Sequence, residues 1–333
     1  MDELLKQPQG SAVMVMISSI GIVVLSVVCV GIWRPPKYVD ALAAGNPSHS
    51  AVLITGASRG IGNDMTITLA KRGYTVFGTV RSESSSQALL NQLVNNESTG
   101  SAGKIHPIIL DVTKEESFAS ALDSVKKILN DKSNPQLHLV GIVNNAGINP
   151  EGDKWKGGSS PPMELADPLL AEQVIQTNVL GTIRTTHTFL PLLNDSGSNN
   201  DGDSRSGNVE VVEGRIIMIG SYFGSLSGAI GLPHVYYETS KRALEGFTDG
   251  LRRGLAKTGS KVSVSLIKPG NIKTDMNDYG EVGPEEVTKD VINALESNRP
   301  KHRYYPGKVK GMSSYLVCTI FDILPTWLTD RLV

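Results

Sequence analysis

The sequence predicts an α/β fold: one domain built on a doubly wound parallel sheet, standing behind an N-terminal membrane anchor. Three observations predict it. Short apolar runs alternate with segments of helical pattern through most of the chain. Those runs are apolar almost throughout, as strands covered on both faces are. A glycine-rich turn, TGASRGIG, directly follows the first such run and opens the first helix.

Size and composition agree. At 333 residues the chain holds one large α/β domain with extra pieces. An apolar content of 40% and a formal charge of −1 describe an ordinary globular protein, without the basic excess of a nucleic-acid binder. The two cysteines, Cys29 and Cys318, exclude a disulfide framework, and neither has metal-ligand spacing. The six histidines form no paired pattern, so no structural zinc is expected.

Residues 1–33 are read as the anchor. From Ala12 to Trp33 no residue is charged. As a helix this run rises roughly 33 Å, about the thickness of the bilayer hydrocarbon. Trp33 closes it at the interface, and Arg34-Pro35-Pro36-Lys37 follows. A cleavable signal peptide wants a basic start and a shorter run, whereas this chain begins Met-Asp-Glu. A signal peptide and a buried core helix are the alternatives. Arg34 and Lys37 bias the main domain toward the cytoplasmic side of the endoplasmic reticulum or a similar membrane. The sequons at Asn96 and Asn194 would matter only for a lumenal domain.

The elements then follow in order. Residues 34–50 form a Pro-rich linker, and residues 51–309 the main domain. AVLITG is the first strand, and Asn63–Arg72 the first helix. YTVFGTV is the second strand, followed by a helix over Ser84–Asn95. KIHPIILDV is the third, with a helix over Glu115–Leu129, and LHLVGIVNNAG the fourth. One long helix is expected from Pro168 to Leu193. The strand GRIIMIGS, a helix over His234–Ala256, the strand KVSVSLIKPG and a helix over Pro284–Ser297 complete the alternation. The insert EGDKWKGGSSPP leaves the carboxyl end of the sheet and could rim a site. The polar insert DSGSNNDGDSRSGNVEVVEG reads as a surface loop on the opposite side.

The glycine-rich turn carries chemistry. Gly56, Gly60 and Gly62 let the backbone turn tightly and let a pyrophosphate approach a helix N-terminus, where unpaired N–H groups and the dipole favour anions. The spacing Gly-x-x-x-Gly-x-Gly departs from the commoner dinucleotide fingerprint. It resembles the variant of the short-chain dehydrogenase/reductase family. Further motifs resemble that family in the same order: NNAG at Asn144–Gly147, Asn178 in QTNVLGT, Ser221 closing IIMIGS, Tyr237 and Lys241 as Tyr-x-x-x-Lys, and KPGNIKT at Lys268–Thr274. The resemblance implies a Rossmann-like fold and a nicotinamide dinucleotide cofactor. It implies cofactor contacts from Thr55, Gly56, Ser58, Arg59, Gly60, Ile61 and Gly62, and from Asp111 and Val112 beside the adenine. Asn145, Ala146, Gly147, Tyr237, Lys241, Pro269, Gly270, Ile272 and Thr274 would complete the cofactor site. One departure is that the stretch from Ser221 to Tyr237 is a few residues longer than usual. Ser225 and Ser227 therefore compete for the serine role, and Tyr236 for the tyrosine role, although its partner four residues on is Ser240.

Residue types at the second strand's end bear on the cofactor. An NAD site typically has an acid there for the ribose 2′-OH. Here Val80 stands in that place and Arg81 follows, with Arg59 inside the glycine loop. Two guanidinium groups suit a 2′-phosphate, so NADP(H) is preferred. Glu83 keeps NAD(H) open, and solvated surface arginines are the plainer alternative.

The resemblance implies catalytic roles for Ser221, Tyr237, Lys241 and Asn178. Tyr237 exchanges a proton with the substrate oxygen, its pKa lowered by Lys241 one turn away. Ser221 orients that oxygen, and Asn178 holds a water linking Lys241 to solvent. The reaction implied is carbonyl–alcohol interconversion. The anchor and the apolar tail, residues 310–333, point toward a lipophilic substrate, and together they resemble the membrane-associated retinol and hydroxysteroid dehydrogenase branch. A retinoid or steroid is expected first, then another lipid, then a small hydroxy acid. Asp322 and Pro325 make the tail a poor span; it walls the substrate pocket, lies on the membrane, or packs as plain core. A homodimer accords with the resemblance. The alternative function is a catalytically silent cofactor-binding regulator or scaffold.

Overall fold

The computed structural model describes residues 46–94, 103–134, 136–150, 167–195, 213–226, 235–278, 280–325 and 328. The expected anchor, most of the linker and nearly all of both inserts lie outside the described residues. Among the described residues no helix is long and apolar enough to cross a membrane.

Seven parallel strands form the sheet, in the spatial order β3-β2-β1-β4-β5-β6-β7. They are β1 (Ser50–Ile54), β2 (Thr75–Val80), β3 (Lys104–Ile109), β4 (His138–Asn144), β5 (Arg215–Ile219), β6 (Ser263–Ile267) and β7 (Arg303–Tyr304). The strand order reverses between β1 and β4, which opens a crevice at their carboxyl ends. This is the doubly wound fold that the alternation predicts.

Successive side chains of β1 go to opposite faces, and both faces are buried. Val52 and Ile54 join one core with Met65 and Leu69 of α1 (Gly60–Lys71) and Val287, Val291 and Leu295 of α8 (Glu285–Glu296). Ala51 and Leu53 join the other, with Phe118 and Val125 of α3 (Glu116–Leu129) and Phe189 and Leu193 of α5 (Gly181–Asp195). This double burial explains why the strands carry no polar alternation. Helix α2 (Glu83–Val94) follows β2.

Three expectations are corrected. The long helix over Pro168–Leu193 is interrupted: α4 (Pro168–Val174) passes through a π-helical turn, Ile175–Leu180, into α5. The third strand stops at Ile109, because the Asp111 carboxylate accepts hydrogen bonds from the Thr113 backbone N–H (3.0 Å) and hydroxyl (2.7 Å), which turns the chain. The tail does not begin at residue 310. After β7 a hairpin of β8 (Lys308–Val309) and β9 (Met312–Ser313) leads into α9 (Ser314–Ile323). Between β5 and β6 lie the short α6 (Phe223–Leu226) and the long α7 (Val235–Lys257).

Candidate active site

The glycine loop is shaped by close approach. Gly56 and Gly60 adopt φ of +70° and +57°, where a side chain is strained. A Cβ at Gly62 would stand 2.1 Å from the carbonyl oxygen of Gly56, so only glycine lets α1 start so near the turn. Arg59, at the N-cap of α1, makes no side-chain cap, which leaves the first N–H groups of the helix to the crevice.

The loop is clasped from the neighbouring strand. The Thr55 hydroxyl accepts from the N–H of Asn145 (2.9 Å) and Ala146 (3.0 Å). The Asn145 amide donates to the carbonyls of Thr55 (2.9 Å) and Gly56 (3.2 Å). Both side chains therefore join the end of β1 to the end of β4. Ser58, Arg59 and Arg81 are exposed at the rim, and neither arginine forms an ion pair among the described residues. Asp111 and buried Val112 close the adjacent edge. Burial opposes ionisation of Asp111, but the bonds from Thr113 and the charges of Lys114 and Arg81 hold its carboxyl below the usual range.

Ser221, Tyr237 and Lys241 come together beyond β5. Ser221 is buried and bonds the Tyr237 hydroxyl, while its own oxygen accepts from the Phe223 N–H at 3.2 Å. Lys241 is buried on α7, with its ammonium 5.4 Å from the centre of the Tyr237 ring. That ammonium donates to the carbonyl oxygen of Ile219 at 2.9 Å. Phe223 stands edge-on to Tyr237, with ring centres 6.0 Å apart.

The electrostatics differ from the expectation. Burial pushes the Tyr237 phenol up to about 12, eased by the bond with Ser221. Burial draws the Lys241 ammonium down to about 8. The neighbouring cation is not what governs the phenol here, because its hydrogen bond is directed at Ile219 and desolvation outweighs attraction.

Asn178 sits in the π-helical turn and is fully buried. Its amide clasps the backbone of Ile148, accepting from the N–H (2.8 Å) and donating to the C=O (3.0 Å). The second amide hydrogen goes to the Ser240 hydroxyl (3.0 Å), which itself donates to the carbonyl of Tyr237 (2.6 Å). Both donors are thus committed to protein, and the backbone oxygen of Asn178 accepts from the Thr182 hydroxyl at 2.8 Å. A Cβ at Gly147 would lie 3.3 Å from the Asn178 amide oxygen and 3.7 Å from the Lys241 ammonium, so Gly147 keeps the space before the lysine open.

The Pro269–Thr274 segment folds over the same end of the sheet. Pro269 accepts from the Tyr222 N–H (3.0 Å), and the Tyr222 hydroxyl donates to Asn271 (2.9 Å). Gly270 leaves no room for a side chain, since a Cβ would stand 2.4 Å from the Lys308 carbonyl oxygen. Ile272 is buried, and the Thr274 side chain lies 3.6 Å from where a Cβ at Gly60 would stand. The segment therefore reaches back to the glycine loop.

Of the competing groups, Ser225 is taken by buried Lys268, whose ammonium donates to its hydroxyl. Ser227 lies outside the described residues. Lys268, the first residue of the KPG motif, carries no local signal of its structural role. It is fully buried, 2.8 Å from Glu245 of α7 and 3.7 Å from Asp322 of α9, and so ties three elements beneath the site. Only its place in an apolar strand end hinted at burial.

These features accord with comparisons to known proteins. The family described as "short chain dehydrogenase" matches residues 50–282. Bovine (Bos taurus) 17-beta-hydroxysteroid dehydrogenase type 6 is 31% identical over 72% of this chain and 62% of its own length. Mouse (Mus musculus) mitochondrial D-beta-hydroxybutyrate dehydrogenase is 27% identical over 83% of this chain and 70% of its own. Mouse retinol dehydrogenase 7 is 28% identical over 76% and 66%. Among solved structures, a short chain dehydrogenase from Burkholderia cenocepacia in complex with NADP superposes with a TM-score of 0.61 at 23% identity, covering 86% of this chain and 98% of that one. A 3-oxoacyl-[acyl-carrier protein] reductase from Brucella melitensis with bound NAD gives 0.59 at 22%, covering 81% and 95%.

Proposed function

The chain belongs to the short chain dehydrogenase family of oxidoreductases, and from that premise we propose that it interconverts a carbonyl and an alcohol on a lipophilic substrate by hydride transfer with a nicotinamide dinucleotide. The observation that carries this reading is the convergence of Tyr237 with buried Ser221 and Lys241 beyond the carboxyl end of β5.

The crevice fits such a cofactor. The cradle at Gly56, Gly60 and Gly62 is one that any Cβ would strain or fill, and the uncapped start of α1 faces it. Thr55 and Asn145 would hold the cradle in shape. Ser58, Ile61, Asp111, Val112 and Ala146 would line it, with Pro269, Gly270, Ile272 and Thr274 closing the other end. Arg59 and Arg81, exposed and outside any ion pair among the described residues, favour a 2′-phosphate and hence NADP(H). Glu83 would serve a ribose hydroxyl in NAD(H).

Bound there, the nicotinamide supplies or accepts the hydride. Ser221 donates a hydrogen bond to the substrate oxygen and orients it. Tyr237, held protonated by burial, passes its proton to that oxygen in reduction and recovers it in oxidation. Lys241 stabilises the phenolate as it forms, because the attraction grows when charge develops in a dry site. An oxygen of Asn178 would hold the water that reprotonates the lysine.

A retinoid or steroid is the favoured substrate, drawn from relatives whose names carry those words and from the apolar run at Ala12–Trp33. That run would anchor the chain as a single span in the endoplasmic reticulum or a similar membrane, with the catalytic domain on the cytoplasmic side. Pairing of two copies is part of the same reading. The silent-scaffold reading is not favoured, since serine, tyrosine and lysine are all present and in contact.

The test is turnover of detergent-solubilised full chain with NADPH or NADH and a panel of hydrophobic aldehydes and ketones. Tyr237→Phe is expected to abolish turnover and leave cofactor affinity nearly intact. Tight cofactor binding with no turnover across the panel would overturn the reading in favour of a scaffold.

A further inference from the structure

Among the described residues, only one of the two apolar faces of helix α9 is covered. Of the nine large apolar side chains exposed among the described residues, five lie within Met312–Ile323: Met312, Tyr315, Leu316, Ile320 and Ile323. Four of them lie on α9 at i, i+1, i+5 and i+8, which share one side of the helix, and Met312 stands on β9 just before it. The opposite side buries Ser314, Val317 and Cys318 against Tyr222 and Leu226.

The charges around this face are sorted. The only charged residue of α9 is Asp322, which is partly exposed and pairs with Arg242 at 3.3 Å and Lys268 at 3.7 Å. Glu281 is engaged by the Gly311 N–H at 2.9 Å. At the edge of the apolar face the hairpin presents exposed Lys308 and Lys310. An exposed apolar stripe with basic side chains at its edge, its nearby acids Asp322 and Glu281 already engaged by basic groups and a backbone N–H, complements a lipid surface with anionic headgroups.

Size argues in the same direction. Ten residues of helix rise only about 15 Å, too short to span a bilayer. Five half-exposed side chains supply roughly half of the ~800 Å² per partner that a stable protein interface needs. A patch of this size is on the scale of the largest on an ordinary monomer, which is often functional.

We propose that α9 is an interfacial helix that seats the domain on a lipid bilayer, its outer face in the headgroup–acyl boundary. The inner face rests on α6, which begins two residues after Ser221. Seating the domain this way puts the Ser221–Tyr237 pair one helical layer from dissolved lipid, so that a lipophilic substrate reaches it without crossing water. The docking stands on the α9 surface alone and does not require the hydride-transfer reading.

The experiment uses full chain carrying Cys29→Ser and a single environment-sensitive label at Leu316→Cys, Ile320→Cys or, on α3, Lys126→Cys. Vesicles of phosphatidylcholine with phosphatidylserine carry a lipid-borne quencher. Attachment through the N-terminal run is common to all three proteins, so only the label reports the face. Labels at 316 and 320 are expected to shift to the blue and be quenched several-fold more by the lipid quencher than the label at 126. Adding Tyr315→Asp and Ile323→Asp is expected to remove that difference at 320 without loss of folded protein by circular dichroism. Three results would overturn the proposal: equal quenching at all three sites, shielding from an aqueous quencher without lipid quenching (a second copy on the face), or failure of the chain to float with the vesicles.

Discussion

The ammonium of Lys241 lies 5.4 Å from the centre of the Tyr237 ring and gives its hydrogen bond to the carbonyl oxygen of Ile219. Burial has drawn the lysine down to about 8 and pushed the phenol up to about 12. Burial thus drives two groups of nearly equal ordinary proton affinity apart, so that the phenol keeps its proton at a pH where the lysine gives its own up.

The pH dependence of carbonyl reduction follows. Reduction needs a protonated Tyr237, which persists to about 12, and a charged Lys241, which is lost as pH rises through about 8. kcat/KM for reduction is therefore expected to be flat below pH 8 and to fall above it. Lys241→Arg, charged throughout, moves the fall to higher pH in whatever activity it keeps. A profile that rises through pH 8 would remove Lys241 from this role.

Two glycines should respond in opposite directions. Gly62→Ala puts a methyl 2.1 Å from the Gly56 oxygen, so a loss of about 1–3 kcal/mol is expected along with cofactor affinity. Gly250 on α7 has no atom within 4 Å of the added carbon, and Gly250→Ala is expected to stabilise by about 0.5–1 kcal/mol. Urea unfolding of the two variants beside the parent checks both signs.

The buried ion pair offers a third test. Lys268→Met takes the 2.8 Å partner from Glu245 and leaves it only Arg242, 4.0 Å away and largely exposed, which costs about 3 kcal/mol. Lys268→Met combined with Glu245→Leu removes both charges and is expected to be more stable than the single variant. Equal unfolding midpoints for the single and double variants would show that the pair is not coupled.

Cofactor choice is tested at the rim. Arg81→Ala is expected to weaken NADPH binding about tenfold, the equivalent of ~1.4 kcal/mol, and to leave NADH binding little changed. Titration of each dinucleotide by fluorescence reads the difference, and an equal loss for both would sink the 2′-phosphate argument.

Much of this was legible in the sequence, and for identifiable reasons. Strands such as AVLITG and RIIMIG are apolar on both faces because helices cover both, so composition alone located them. Ser221, Tyr237 and Lys241 were singled out by resemblance to the family's motifs, the last two also standing one turn apart on α7. What escaped depends on distant partners. Lys268 is paired with Glu245, 23 positions earlier, and Asp322, 54 positions later, and no local pattern announces that. The two-residue strand β7 is defined by pairing with β6 and not by propensity. The phenol's raised affinity for its proton arises from burial, a property of the assembled crevice. The widened turn at Ile175–Leu180 leaves the residue types of an ordinary helix unchanged, so Pro168–Leu193 read as continuous.

That wide turn makes chain length, more than side-chain identity, the sensitive variable around Asn178. It behaves as a helix carrying one surplus residue. Deleting a single residue there would let the coil close up into regular pitch, leaving the flanking helices in register but removing the bulge that sets where Asn178 points. The Asn178 amide would then swing away from Ile148 and Ser240 even though every remaining amino acid was the same. Tolerance of substitutions at Ile175 or Val179 together with intolerance of deletions is the mutational signature this geometry leaves.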